Sequence, residues 1–182
     1  HTPWEQVLRS QLARALAPKR SLSWSRPSRS YIANQGRSGS HHRMPFEPGQ
    51  TPSKRVPRLV VVVDVSGSIE DALMARFARE IDAITRRLEA GLVLVIGDDQ
   101  VRSVLHCPPG QCKLRDVVFA GGGGTDFTPL LQEAARHGPD SVVVLTDLEG
   151  PARYKPACPV IWAVPEAHQA AIEPFGRKLV LR

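Results

Sequence analysis

Apolar positions come in two patterns along this chain. Short unbroken runs, Leu59-Val60-Val61-Val62-Val63 and Val142-Val143-Val144-Leu145, have the length and β-branched content of strands covered on both faces. Between them, Ile69, Leu73, Phe77, Ile81, Ile84 and Leu88 recur at helical spacing and predict one long helix over 69–89, ended by Gly91. Further strands are expected at 92–96, 160–164 and 178–181, with a short strand at 101–106 that follows the Gly97-Asp98-Asp99 turn as an antiparallel neighbour. Helices are expected at 3–16, 129–137 and 166–172, and a short helix or turn at 114–119.

Strands alternating with helices predict an α/β fold: a doubly wound, mostly parallel sheet with one antiparallel edge strand and helices on both faces. The chain divides at 57/58. Residues 1–57 hold an N-terminal helix and an arm rich in Pro, Ser and Arg, expected to be extended or partly disordered, with 35–50 its most mobile and protease-sensitive stretch. Residues 58–182 form the globular part.

Charge follows the same division. The chain's net charge is +6, with ten Lys or Arg against two acids in residues 1–57, and fourteen against sixteen in the remainder. A basic arm fits nucleic acid, an acidic surface or plain solvation. With one Trp and one Tyr among the arginines of 23–31 it is too poor in aromatics for a single-strand stacking platform, which argues against nucleic acid. No apolar stretch is long enough to span a membrane, and Cys107, Cys112 and Cys158 do not form a secreted disulfide framework, so a cytoplasmic protein is expected.

The chemistry sits where the apolar runs stop. The first ends in Asp64-Val65-Ser66-Gly67-Ser68, a carboxylate and two hydroxyls at two-residue spacing, and the second in Thr146-Asp147. Between them Gly121-Gly122-Gly123-Gly124-Thr125-Asp126 brings a Thr hydroxyl to the start of a helix. Hard oxygens of this kind suit Mg²⁺ or Mn²⁺ rather than Zn²⁺. Taken singly, Ser66 or Ser68 could cap a helix and Asp147 could begin a turn. Asp126 and Glu149 are expected on the rim, and Asp98 and Asp99 in a turn.

Together, Asp64, Ser66, Ser68, Thr125 and Asp147 resemble the metal-ion-dependent adhesion site of von Willebrand factor A (VWA) domains in type, order and placement. The resemblance covers 58–182. It implies that Asp64, Ser66, Ser68 and Thr125 hold a divalent ion directly or through water. Asp147 would act through water, and one position would stay open for a Glu or Asp of a protein partner. The Leu22–Arg29 stretch, with the Asp64 and Thr125 motifs, is similar to the C-terminal part of bacterial proteins that join a metallopeptidase-like region to a VWA-like domain. That resemblance implies an adaptor role with an AAA+ ATPase of the MoxR class, and the peptidase region is expected to lie outside this chain. Catalysis is not expected here: the motifs of Walker loops, zincins and nucleophile elbows are missing, and a haloacid-dehalogenase-type phosphatase would need an Asp where Ser66 stands. The alternative is a metal-dependent hydrolase, or an accessory domain of a metallopeptidase-like protein.

Overall fold

The structure, a computed structural model, describes residues 2–35, 45–52, 55–66, 69–111, 113–116 and 126–182. These form two units, one of residues 1–17 with 56–182 and the other of 18–55.

The larger unit is built on a six-stranded sheet. Its strands are β3 (Arg58–Asp64), β4 (Gly91–Gly97), β5 (Val101–Cys107), β6 (Ser141–Leu145), β7 (Val160–Pro165) and β8 (Arg177–Leu181), in the spatial order β5-β4-β3-β6-β7-β8. All neighbours are parallel except β4 and β5, whose antiparallel pairing at the edge matches the expectation from the Gly97–Asp99 turn. Strand pleating explains the unbroken valine runs. Leu59, Val61 and Val63 enter the core beneath α1 (Trp4–Ala15) and α3 (Asp71–Leu88), while Val60 and Val62 enter the core on the other face beneath α4 (Phe127–Arg136). Helices thus cover both faces, as predicted.

Helix α1 is part of this unit. Its buried Trp4, Leu8 and Leu12, with Leu16 just beyond, join the core formed with α3 and β8. Trp4 stacks on Phe77 with ring centroids 6.4 Å apart, and its indole N–H donates to the Arg182 carbonyl at 3.2 Å. Arg9 makes a two-pronged pair with the carboxylate of the buried Glu80, one arm at 2.7 Å. The division expected at 57/58 therefore separates a helix that packs with the sheet from the sheet it packs on.

On the other face, Phe127 and Trp162 meet edge to face at 5.4 Å, and Trp162 donates to the Phe175 carbonyl at 2.6 Å. Helix α4 begins at Phe127, before the expected 129, because the Asp126 side chain accepts the Thr128 N–H at 2.9 Å and so caps it; Pro129 then falls in the first turn. The helix expected at 166–172 is a single 3₁₀ turn, Glu166–His168. Ile172, its main apolar anchor, is 87% exposed, and so short a helix without a packed face is not stable in water.

The smaller unit shows what form the arm, expected to be extended or partly disordered, takes in its described residues. Strands β1 (Arg20–Pro27) and β2 (Pro48–Pro52) pair antiparallel, and α2 (Arg29–Asn34) follows β1, capped by the Ser28 hydroxyl accepting the Tyr31 N–H at 3.0 Å. Phe46 stacks on Trp24 and meets Tyr31 edge-on. Most of the stretch expected to be mobile, 36–44, lies outside the described residues; Pro48, Gly49 and Gln50 sit in β2. No helix among the described residues is long and apolar enough to cross a membrane.

Candidate metal centre

The strand order locates the crevice. From β3 the chain crosses to β4 on one side and later returns to β6 on the other, so the sheet's winding reverses between β3 and β6. Open α/β sheets bind ligands outside the carboxyl ends of strands at such a reversal. Asp64 is the last residue of β3, and Asp147 stands two residues beyond the end of β6.

Asp64 is fully buried. Its Oδ1 accepts the Ser66 backbone N–H at 3.0 Å and the Ser66 hydroxyl at 2.5 Å, and its Oδ2 accepts the Thr146 hydroxyl at 2.9 Å. Ser66 therefore turns back onto the carboxylate instead of capping α3, whose N-cap residue, Glu70, makes no side-chain cap bond. Thr146, also fully buried, is the residue that sequence reasoning missed. Its Oγ1 accepts the Leu148 N–H at 3.0 Å while donating to Asp64, so it ties the loop after β6 to the end of β3. The available signal was its place: a hydroxyl at the mouth of a buried strand, next to a candidate ligand.

Asp147 is nearly buried, and its Oδ1 accepts the Glu149 N–H at 3.0 Å, so the turn-forming role open to it is realised. Leu148 adopts a left-handed conformation, φ 67°, in this turn. Asp126 is the cap of α4, and hydrogen bonds from Thr128 hold its carboxyl below the usual range. Asp98 is a turn residue, as expected, and it accepts the Gln100 N–H and pairs with Arg102 at 2.8 Å. The Arg102 guanidinium holds its carboxyl down at about 2. Gly97, just before it, admits no side chain, because a Cβ would overlap the Gln100 carbonyl oxygen; the Gly97 carbonyl accepts the Val65 N–H at 2.9 Å and extends the β3–β4 pairing past Asp64. Ser68 and Thr125 lie outside the described residues.

The electrostatics of Asp64 suit a cation. Burial pushes its carboxyl above the ordinary range and the negative charge of Asp147 adds to the push, while the Ser66 and Thr146 hydrogen bonds act the other way. Among the described residues neither Asp64 nor Asp147 has a Lys, Arg or His partner. An ionised buried carboxylate without a counter-charge costs on the order of several kcal/mol. A divalent ion held by oxygens removes that cost, and carboxylates with hydroxyls are a hard donor set of the Mg²⁺ type. Among the described residues no group of three or more His, Cys, Asp or Glu side chains is placed to hold a metal ion.

A doubly wound, mostly parallel sheet with acids and hydroxyls gathered where its winding reverses defines a class of Rossmann-like α/β domain. Residues 59–182 match the family profile described as a VWA-like domain (DUF2201), and the chain belongs to that family. Residues 1–51 match a second profile, described as "Putative metallopeptidase domain". This corrects the expectation that the peptidase-associated region lies outside the chain: its profile runs through α1, β1 and α2 into β2. An uncharacterized protein of Thermotoga maritima is 34% identical over 93 residues, 50% of this chain and 23% of that protein, so the matched stretch spans about a quarter of the relative's length.

Proposed function

We propose that this chain is a divalent-metal-dependent protein-binding domain that captures an acidic side chain of a partner. The observation that carries the reading is the pair Asp64 and Asp147, adjoining strand ends at the reversal of the sheet, one fully buried, with no protein cation to compensate them among the described residues. Asp64, Ser66, Ser68 and Thr125, with Asp147 through water, would hold Mg²⁺ or Mn²⁺. The bound ion supplies an electrophilic position open to a carboxylate. The chain's own part is to orient the donors. Ser66 and Thr146 fix the Asp64 carboxylate, and the Asp147–Glu149 turn fixes the second acid. An AAA+ ATPase of the MoxR class is the partner this reading favours, in an adaptor role inside the cell.

The match of residues 1–51 to a metallopeptidase description favours a second reading, a metal-dependent hydrolase or the accessory domain of a metallopeptidase-like protein. Partner capture separates the two. Binding to a purified ATPase of that class should vanish in chelator and return with Mg²⁺ or Mn²⁺. It should fall by at least about tenfold, or 1.4 kcal/mol, in Thr125→Ala, which removes a ligand without changing charge. A partner that binds equally in chelator and to Thr125→Ala would sink the first reading. Peptide hydrolysis by the metal-loaded chain that Asp64→Ala abolishes would establish the second.

A further inference from the structure

At the opposite pole of the sheet, where β6, β7 and β8 begin, a cleft of about 590 Å³ opens between the strand ends and the C-terminal half of α1. That size falls within the range of ligand pockets, about 300–1,000 Å³. Arg14, Lys155 and Arg177 line it, and no acidic residue does. None of these three exposed cations has an ion-pair or hydrogen-bond partner among the described residues; elsewhere in the unit Arg9, Arg58, Arg76, Arg86, Arg102 and Lys178 are partnered, and Arg87 is not.

A second observation is independent of charge. Gln11, also on the wall of the cleft, carries a buried Oε1 without a hydrogen-bond partner, the one buried side-chain polar atom so left among the described residues. A buried acceptor without a donor costs about 1–3 kcal/mol, so the native fold gains when something supplies an N–H or O–H there. Ile161 and Phe175 add apolar wall. The back of the cleft is tightly built: at Gly176, φ 79°, a Cβ would overlap the Val160 carbonyl oxygen, so β8 begins close against β7 only because that residue is glycine.

We propose that this cleft binds a short acidic peptide segment. A peptide supplies in one ligand carboxylates for the cations, apolar surface for Ile161 and Phe175, and a backbone N–H that meets the Gln11 Oε1 when that side chain turns out of its buried position. Inorganic phosphate has charge and an O–H donor but no apolar surface for Ile161 and Phe175. A single-stranded nucleic acid brings negative charge and, in RNA, a 2′-hydroxyl donor beside each phosphate, but among the described residues lining the cleft Phe175 is the one aromatic side chain, too few for successive bases to stack on. The cleft is separate from the Asp64 crevice, at the other end of the strands, and its ligand needs no metal.

The test uses the complete chain and a fluorescein-labelled Glu-Asp-Gly-Glu-Asp-Gly peptide, read by fluorescence polarisation in the presence of EDTA. Saturable binding is expected, with a Gln-Asn-Gly-Gln-Asn-Gly peptide at least tenfold weaker. The Arg14→Glu/Arg177→Glu double variant, altered only at exposed side chains, should lose about tenfold or more of the affinity, as reversal of interfacial charges does. Gln11→Leu should weaken the peptide while raising the melting temperature, because the orphaned acceptor is gone; loss of both would mean a merely structural role and would overturn the assignment. No saturable binding, equal affinity for the neutral peptide, or no effect of the double variant would overturn it as well. So would tighter binding of a labelled oligothymidylate, or displacement by millimolar inorganic phosphate. Binding that appears only when Mg²⁺ replaces EDTA would assign acid capture to the Asp64 crevice, overturning this inference while leaving the proposed function in place.

Discussion

Replacing Asp64 with Ala is expected to abolish the stabilisation that Mg²⁺ or Mn²⁺ confers. At a hundredfold excess over its dissociation constant, an ion that binds only the folded state adds about 2.7 kcal/mol. For a chain of this size that raises the melting temperature by roughly 5–10 °C. Asp64→Asn, which keeps the shape and loses the charge, should remove the same response and raise the metal-free melting temperature at pH 8, because the ionised carboxylate is what burial disfavours. The response should also depend on pH. The folded-state value of Asp64 lies above its ordinary value, so its contribution to metal-free stability is complete below that ordinary value and is lost as pH rises through the raised one. A cation competes with the proton and needs the carboxylate, so metal-dependent stabilisation should grow over the same window. Melts with and without Mg²⁺ at intervals from pH 4 to pH 8 check both points. An unchanged response in the variants, or one independent of pH, would remove Asp64 from the site.

A fragment beginning at Leu59, where the VWA-like match begins, is expected to be unstable or insoluble, although it contains the whole sheet except Arg58. It lacks α1, whose Trp4, Leu8 and Leu12 are buried in the core together with Leu16. Burying side chains of this kind is worth about 1.5–3 kcal/mol each, so the four represent roughly 6–12 kcal/mol as an upper bound. That rivals the whole stability of a domain, about 5–15 kcal/mol. Removal of Arg9 also strands the carboxylate of the buried Glu80. Leu8→Ala in the full chain isolates the packing part and should cost about 2–5 kcal/mol, read from denaturant midpoints. A fragment 59–182 with the midpoint of the full chain would show that α1 is an accessory.

Much of this was legible because buried parallel strands announce themselves. The valine runs admit few readings, and an Asp at the end of one must meet a partner, so β3, β6 and the place of Asp64 follow from pattern and charge alone. Thr146 was not legible, because a single hydroxyl at a strand end is compatible with a cap, a turn or solvent until the neighbouring strand is in register. Strand β1 was hidden for a different reason. Of its residues only Ser23 is buried, so its side chains carry no two-residue apolar alternation, and its pairing with β2 rests on backbone bonds that leave no trace in composition. The 166–172 segment misled in the opposite sense: Ala and Gln favour a helix, but nothing apolar on it finds a surface to cover.

The larger unit is assembled from two separated stretches of chain, 1–17 and 56–182, with 18–55 between them. A cut by a protease anywhere in that intervening stretch therefore breaks the polypeptide without releasing a domain. The amino-terminal piece is expected to stay seated through Trp4, Leu8, Leu12 and Leu16, so that the two pieces travel together on a native sizing column while separating on a denaturing gel. Halves made apart and then mixed are accordingly expected to restore one fold, read as recovery of the full chain's melting temperature.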